Sequence, residues 1–156
     1  MNLKAVIIAL SVSACLSVPA IAQKGFTSKA DAKNMMNKGM KDGNWIEYID
    51  NEGKATTDTA APYYNLVVYK KGMKNGLQNQ YAKGGKLLSS MPYKNDKLNG
   101  VAKYYNNDGK LTGETSFKDN NLNGVQKTYY ESGKVKSQTT WTNNQPGATQ
   151  NFPDSK

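Results

Sequence analysis

YKNDKLNGVAKYYNNDGKLTGETSFKDNNLNG, residues Tyr93 to Gly124, begins and ends on one phrase: YKNDKLNG at 93–100 returns as FKDNNLNG at 117–124. The phrase opens on an aromatic or apolar residue and closes on glycine. Earlier copies are Met36–Gly43 (MNKGMKDG) and Tyr69–Gly76 (YKKGMKNG), and a shortened one is Trp141–Gly147 (WTNNQPG). Gly76, Gly100 and Gly124 keep a period of 24 residues, with Gly43 closing the first copy, and Gly85, Gly109 and Gly133 keep the same step. A fixed period of this length marks a repeat architecture, in which neighbouring units cover one another's apolar surface.

Each unit reads as two short strands and two turns. After the closing glycine come an apolar residue (Leu77, Val101, Val125) and, four residues on, a tyrosine (Tyr81, Tyr105, Tyr129). A turn follows at KGGK 83–86, NDGK 107–110 and ESGK 131–134, where glycine supplies the positive φ that hairpin loops require. The second strand alternates with period two, as in Leu87, Ser89, Met91, Tyr93 or Leu111, Gly113, Thr115, Phe117, so one face points inward. The Asn-Gly dipeptides 75–76, 99–100 and 123–124 are expected to turn the chain into the next unit. The fold class is therefore all-β: an open antiparallel meander growing by one hairpin per repeat, about 10 Å for two strand spacings.

These residues resemble the MORN-variant repeat family over roughly residues 36–147. The resemblance rests on Gly43, Trp45 and Tyr48, and then on Gly76–Tyr81–Gly85, Gly100–Tyr105–Gly109 and Gly124–Tyr129–Gly133. Gln78, Ala102 and Gln126 stand where the family's tryptophan recurs, and Asp96 and Asn120 replace the glycine inside the phrase. Asn and Asp also accept turn conformations, so the fold is expected to survive the change. The resemblance implies an interaction module, and some family members carry an antitoxin label.

Residues 1–22 read as a secretory signal: Lys4, an apolar run from Ala5 to about Leu16, and a small-x-small site at Ala20-Ile21-Ala22. The run is too short for an ordinary spanning helix of about 20 apolar residues. Cleavage after Ala22 gives a periplasmic or secreted protein that is not transmembrane. The alternative is a lipoprotein anchored at Cys15, since Val12–Cys15 resembles a lipobox. Residues 23–35 read as a leader with a possible short helix capped by Ser28, residues 36–147 as the repeat domain, and 148–156 as a flexible tail. The first repeat carries about eight extra residues, Ala55–Pro62, expected as an extended loop at a hairpin tip.

The expected core comprises Tyr48, Leu66 or Val67, Leu77, Tyr81, Leu87, Met91, Val101, Tyr105, Leu111, Val125, Tyr129 and Val135, with the aromatic column Tyr69, Tyr93, Phe117 and Trp141. One column defies this reading. Ile46, Asn79, Lys103 and Lys127 should point inward beside Leu77 and Tyr81, so either the lysines snorkel past the rings or the strands carry a bulge.

Little here could carry chemistry. Without histidine, and with its one cysteine inside the signal, the mature chain lacks the usual general base, metal ligand and thiolate nucleophile. Glu47, Asp50 and Glu52 are close in sequence but lie around a turn and lack the spacing of a calcium loop. The chain is read as a non-enzyme with no cofactor and no metal. Charge says more: net +9, with every basic residue a lysine. Two lysine columns follow the repeat, Lys54, Lys86, Lys110, Lys134 after the turn glycine and Lys70, Lys94, Lys118 after the aromatic. Each would form a row with members about 10 Å apart, near one Debye length. Such rows suit a protein partner, an anionic envelope polymer or anionic lipid, or they keep sheet edges apart. Export and the absence of arginine speak against nucleic acid. Trp45, Tyr104 and Tyr130 are expected on the outer face as stacking or anchoring rings.

Overall fold

The computed structural model describes residues 25–154, so residues 1–22, expected as a secretory signal, and Cys15 among them lie outside the described residues. A 3₁₀ turn, Lys29–Asp31, precedes twelve strands: β1 Met35–Asn37, β2 Met40–Ile49, β3 Ala55–Thr56, β4 Tyr63–Lys70, β5 Met73–Ala82 and β6 Leu87–Lys94. After them come β7 Lys97–Leu98, β8 Gly100–Tyr105, β9 Leu111–Lys118, β10 Asn121–Tyr129, β11 Val135–Thr142 and β12 Gln145–Asn151. They form one open antiparallel sheet in chain order, with β3 added beside β2 and β7 beside β6. The all-β meander expected from the repeat is what forms.

Turns of two kinds alternate along it. At one end of the strands, Lys38-Gly39, Lys71-Gly72, Asn95-Asp96, Asp119-Asn120 and Asn143-Asn144 all take positive φ at both positions, as a type I′ hairpin needs. At the other end the loops 50–54, 82–86, 106–110 and 130–134 close through paired backbone bonds such as Asn106 N to Lys110 O (2.9 Å) and Gly109 N to Asn106 O (3.0 Å). These two sets are called the turn end and the loop end below.

The turns are not at the Asn-Gly dipeptides. Asn75-Gly76 and Asn123-Gly124 lie inside β5 and β10, and Asn99-Gly100 at the start of β8. There the register with the preceding strand breaks, as between Leu122 and Gln126 of β10. Gly76, Gly100 and Gly124 take φ of 144°, 122° and 109° to make that irregularity. A Cβ on Gly124 would stand 2.9 Å from Ser116 Cβ. Each closing glycine is paired across the sheet with the aromatic column: Gly43 with Tyr69, Gly76 with Tyr93, Gly100 with Phe117 and Gly124 with Trp141. The missing side chain on one strand leaves room for the ring on the next.

A second irregularity settles the defiant column. Register skips Leu88, Thr112 and Lys136, each opposite the tyrosine that ends the unit's first strand. Leu87, Leu111 and Val135 therefore stay on the face of Tyr81, Tyr105 and Tyr129, while Ser89, Met91 and Tyr93 fall on the other. The single inward face expected for Leu77, Tyr81, Met91 and Tyr93 is corrected to two faces. Lys103 and Lys127 share a face with Val101 and Tyr105, which is open there. Val101, expected in the core, is 43% exposed.

What buries the sheet is the segment before it. Residues 25–34 cross the strands as a strap: Phe26 packs with Tyr64, Leu66 and Tyr81, flanked by Ala32, Ile46, Tyr48, Val68 and Leu87. Its carbonyl accepts from Asn79 Nδ2 (3.1 Å), and Lys33 N and Asn34 N donate to Asn44 O. Ser28 does cap the 3₁₀ turn, accepting from Ala30 N. Leu66 and Val67 are both almost fully buried, on opposite faces of β4. The loop after β2 is not simply extended: β3 pairs with Tyr48 and Ile49, and Ala61 is buried. Residues 148–151 belong to β12 rather than to a free tail, because pairing with β11 satisfies backbone groups that would otherwise hang off the sheet.

Candidate binding surfaces

The turn end is built by bonds that repeat. Asp96 N donates to Lys74 O (3.0 Å) while Asp96 Oδ1 accepts from Lys74 N (2.7 Å). Asn120 makes the same pair with Leu98, and Asn144 with Leu122. Beside these run side-chain bonds from Asn75 to Asn95 (3.0 Å), Asn99 to Asp119 (3.3 Å) and Asn123 to Asn143 (2.9 Å). Each turn thus leans on the unit before it, which lines the turns up.

That alignment concentrates charge. The five turns carry Lys38, Lys70, Lys71, Lys94, Lys97 and Lys118 against Asp96 and Asp119, a net of +4. All six lysines are exposed, and none forms a salt bridge among the described residues. Both aspartates are occupied by the amide bonds just described. The loop end differs: five lysines face Asp50, Glu52, Asp108 and Glu131, a net of +1. There Lys54 pairs with Glu52 (2.6 Å) and Lys110 with Glu131 (3.9 Å), and Lys134 is also engaged. The two lysine columns read from the sequence therefore stand at opposite ends of the strands. Lys70, Lys94 and Lys118 join the unpaired set. Lys54, Lys86, Lys110 and Lys134 stand at the nearly balanced loop end, where, among the described residues, Lys54 and Lys110 are salt-bridged and Lys86 is not.

Sequence reasoning missed four exposed methionines. Met35, Met36, Met40 and Met73 are 39–59% exposed and gather around the first two turns. Met40 packs on Gly72, and an open hollow of about 320 Å³ is lined by Asn37, Lys38, Met40 and Lys71. The signal was in plain view: Met40 and Met73 occupy the same position of successive copies of the phrase.

The ring platform does not assemble. Trp45 and Tyr104 lie on the face of the aromatic column, half-buried. Trp45 stands edge-on to Tyr69 (6.1 Å) and its Nε1 donates to Met35 O and Asp42 O. Tyr130 lies in the loop end, where its hydroxyl donates to Phe152 O (3.0 Å). Of the residues that replace the family tryptophan, Gln78 Oε1 accepts from Lys74 Nζ (2.6 Å) and Gln126 Oε1 from Trp141 Nε1 (3.0 Å), while Ala102 is fully buried.

Beneath Trp45 sits an ionic cluster. Glu47 accepts from Lys41 and from the Tyr69 hydroxyl (2.8 Å), and the Lys41 ammonium lies 4.8 Å from the ring centres of both Trp45 and Tyr69. Burial raises the Glu47 carboxyl, but the Lys41 and Tyr69 hydrogen bonds and the Lys41 and Lys74 charges outweigh it and bring it below its ordinary range. Burial and the same carboxylate push the Tyr69 hydroxyl up. Burial and the bond to Glu114 (2.8 Å) raise Tyr129 to about 12. Glu47, Asp50 and Glu52 do not converge: Asp50 Oδ1 accepts from Glu52 N and Lys54 N, and Glu52 is paired with Lys54. Every one of these carboxylates is committed to structure.

Three consecutive segments, 74–95, 98–119 and 122–143, match the family model described as MORN repeat variant. These units are MORN-variant repeats. The matched segments start on Lys74, Leu98 and Leu122, the residues that receive the reciprocal bonds from the next turn. No curated protein matches the chain. MORN repeats suggest a module for protein or membrane interaction, and the family is generally one of binding modules rather than enzymes. No helix among the described residues is long and apolar enough to cross a membrane.

Proposed function

We propose that this chain is an exported, non-enzymatic binding module that holds an anionic envelope component, polymer or acidic protein, against its turn end. The observation that supports it is the separation of charge among the described residues: six exposed lysines without an ion pair at one end, a net of +4, and a nearly balanced set, a net of +1, at the other. Clefts and rows of one sign draw in a multivalent anion more strongly than scattered charge does. Export rests on the signal-like residues 1–22. The antitoxin-like role implied by the family resemblance falls within this reading, the acidic partner then being a toxin.

A second reading has its own observation. The exposed methionines beside Lys38 and Lys71 combine apolar and basic character, which suits the surface of an anionic bilayer. Charge reversal distinguishes the surfaces. Lys70, Lys94 and Lys118 changed together to Glu should abolish low-salt retention on an acidic polysaccharide, while Lys54, Lys86 and Lys110 changed to Glu should leave most of it. Equal losses would reduce the attraction to the diffuse field of a basic protein. Retention on phosphatidylglycerol vesicles that needs Met36 and Met73, with none on the polysaccharide, would favour the lipid reading.

A further inference from the structure

The strap covers only part of a surface that the repeat continues. On β5 it sits over three positions. Gly25 lies so close to Leu77 that a Cβ there would be 2.7 Å from Leu77 Cβ. Asn79 holds the Phe26 carbonyl, and Tyr81 packs against the Phe26 ring. One period on, the same positions are Val101, Lys103 and Tyr105 on β8, and another period on they are Val125, Lys127 and Tyr129 on β10. Register confirms the equivalence: one cross-strand row runs from Ile46 through Leu66, Asn79 and Ser90 to Lys103, Glu114 and Lys127.

Under the strap the row is dry. Leu66 is fully buried and Asn79 is 5% exposed. Past it the face is open, with Val101 at 43% and the Lys103 side chain at 46%. The exchange of Asn79 for lysine alters what this position can hold, from a neutral carbonyl to a carboxylate. Glu114 occupies Lys103 (3.5 Å) and accepts from Tyr129. Lys127, on its other side, has no ion pair among the described residues.

We propose that the open face of β8 to β10 docks an extended segment of a partner protein, laid across the strands as residues 25–34 are laid across β5, β4 and β2. The segment carries an aromatic or large apolar side chain to pack on Tyr105, Leu111 and Tyr129, which share that face, and an acidic residue for Lys127. The strap is the internal template for this mode, and its own lysines, Lys29 and Lys33, make it a poor occupant of the open positions. The site is separate from the turn end, since it uses a sheet face and not the turns.

The test uses the mature chain, labelled with ¹⁵N, and a synthetic peptide, GFTSEADAEN, the strap sequence with both lysines made glutamate. Saturable shifts of the amides of 101–105 and 125–129 are expected. Lys127→Glu should weaken that binding at least tenfold, while Lys94→Glu leaves it unchanged. The unaltered strap peptide should bind much more weakly. Shifts confined to β2, β4 and β5 would mean that the peptide only displaces the strap, and would overturn the proposal. So would absence of saturation at millimolar peptide, or an equal effect of the two variants. Concentration-dependent shifts of 101–105 without peptide would assign the face to a second copy of the chain instead. If Lys127→Glu unfolds the protein, Lys127→Gln serves, and the wild-type shifts alone already decide the location.

Discussion

Glu47 is held by the Lys41 ammonium and by the Tyr69 hydroxyl, and it is largely buried. Replacing it by Gln keeps the shape and removes the charge that Lys41 and the Tyr69 hydroxyl face. Losing a charged, largely buried partner of this kind costs about 1–3 kcal/mol. Because the folded carboxyl titrates below its ordinary value of 4.5, its contribution is present above that value and fades as pH falls through the depressed one. Denaturant midpoints of wild type and Glu47→Gln should therefore differ clearly at pH 7 and converge in acid; a constant gap would mean that shape, not charge, is lost. None of this was legible beforehand. Glu47 read as part of an acidic cluster with Asp50 and Glu52, since strand alternation, which sends Glu47 to the Tyr69 face, is invisible until register is known.

At the scale of the hairpin, the turn dipeptides do two jobs. Asn120 takes φ of 70° and also exchanges two bonds with Leu98. Asn120→Gly keeps the conformation and loses the side-chain bond, which costs about 0.5–1.5 kcal/mol. Asn120→Ala loses both and should cost about 1 kcal/mol more, as a non-glycine residue without a turn-forming side chain is forced to positive φ. Thermal melts of the pair separate the terms, and equal losses would show that the bond alone matters. The period and the strand pair in each unit were readable from glycine spacing, because a turn needs glycine, Asn or Asp at fixed steps. The turn position was misread by four residues. Asn-Gly is the stronger local signal, but here it serves the bulge opposite an aromatic ring; the alignment of Lys71-Gly72 with Asn95-Asp96 was the weaker and correct one.

Across the whole molecule, cover is uneven. β2, β4 and β5 lie beneath the strap, whereas β8 to β12 form a single layer whose buried side chains are small, such as Ala102, Thr115 and Thr139. Stability in such an array is a sum of local terms. Leu66→Ala should cost about 2–5 kcal/mol, and Val125→Ala, half-buried and uncovered, about 1 kcal/mol. Amide exchange should be slowest in β4 and quicken toward β12; uniform protection would mean that the sheet opens only as a whole. The strap was legible only as a polar leader with a possible cap, for its single large apolar residue, Phe26, makes no pattern. The candidate surface was half legible: the lysine columns followed the period, yet nothing in spacing could say that acids balance one end of the strands and not the other.

The reciprocal bonds between each turn and the unit before it also give the sheet a mechanical direction. Pulled from its C-terminal edge, the chain loads one hairpin at a time, since Asn144 must leave Leu122 before Asn120 can leave Leu98. Each release frees 24 residues, about 80 Å of extended chain. Tension would thus be shed in even, ratchet-like steps, and the strapped end would be the last to yield.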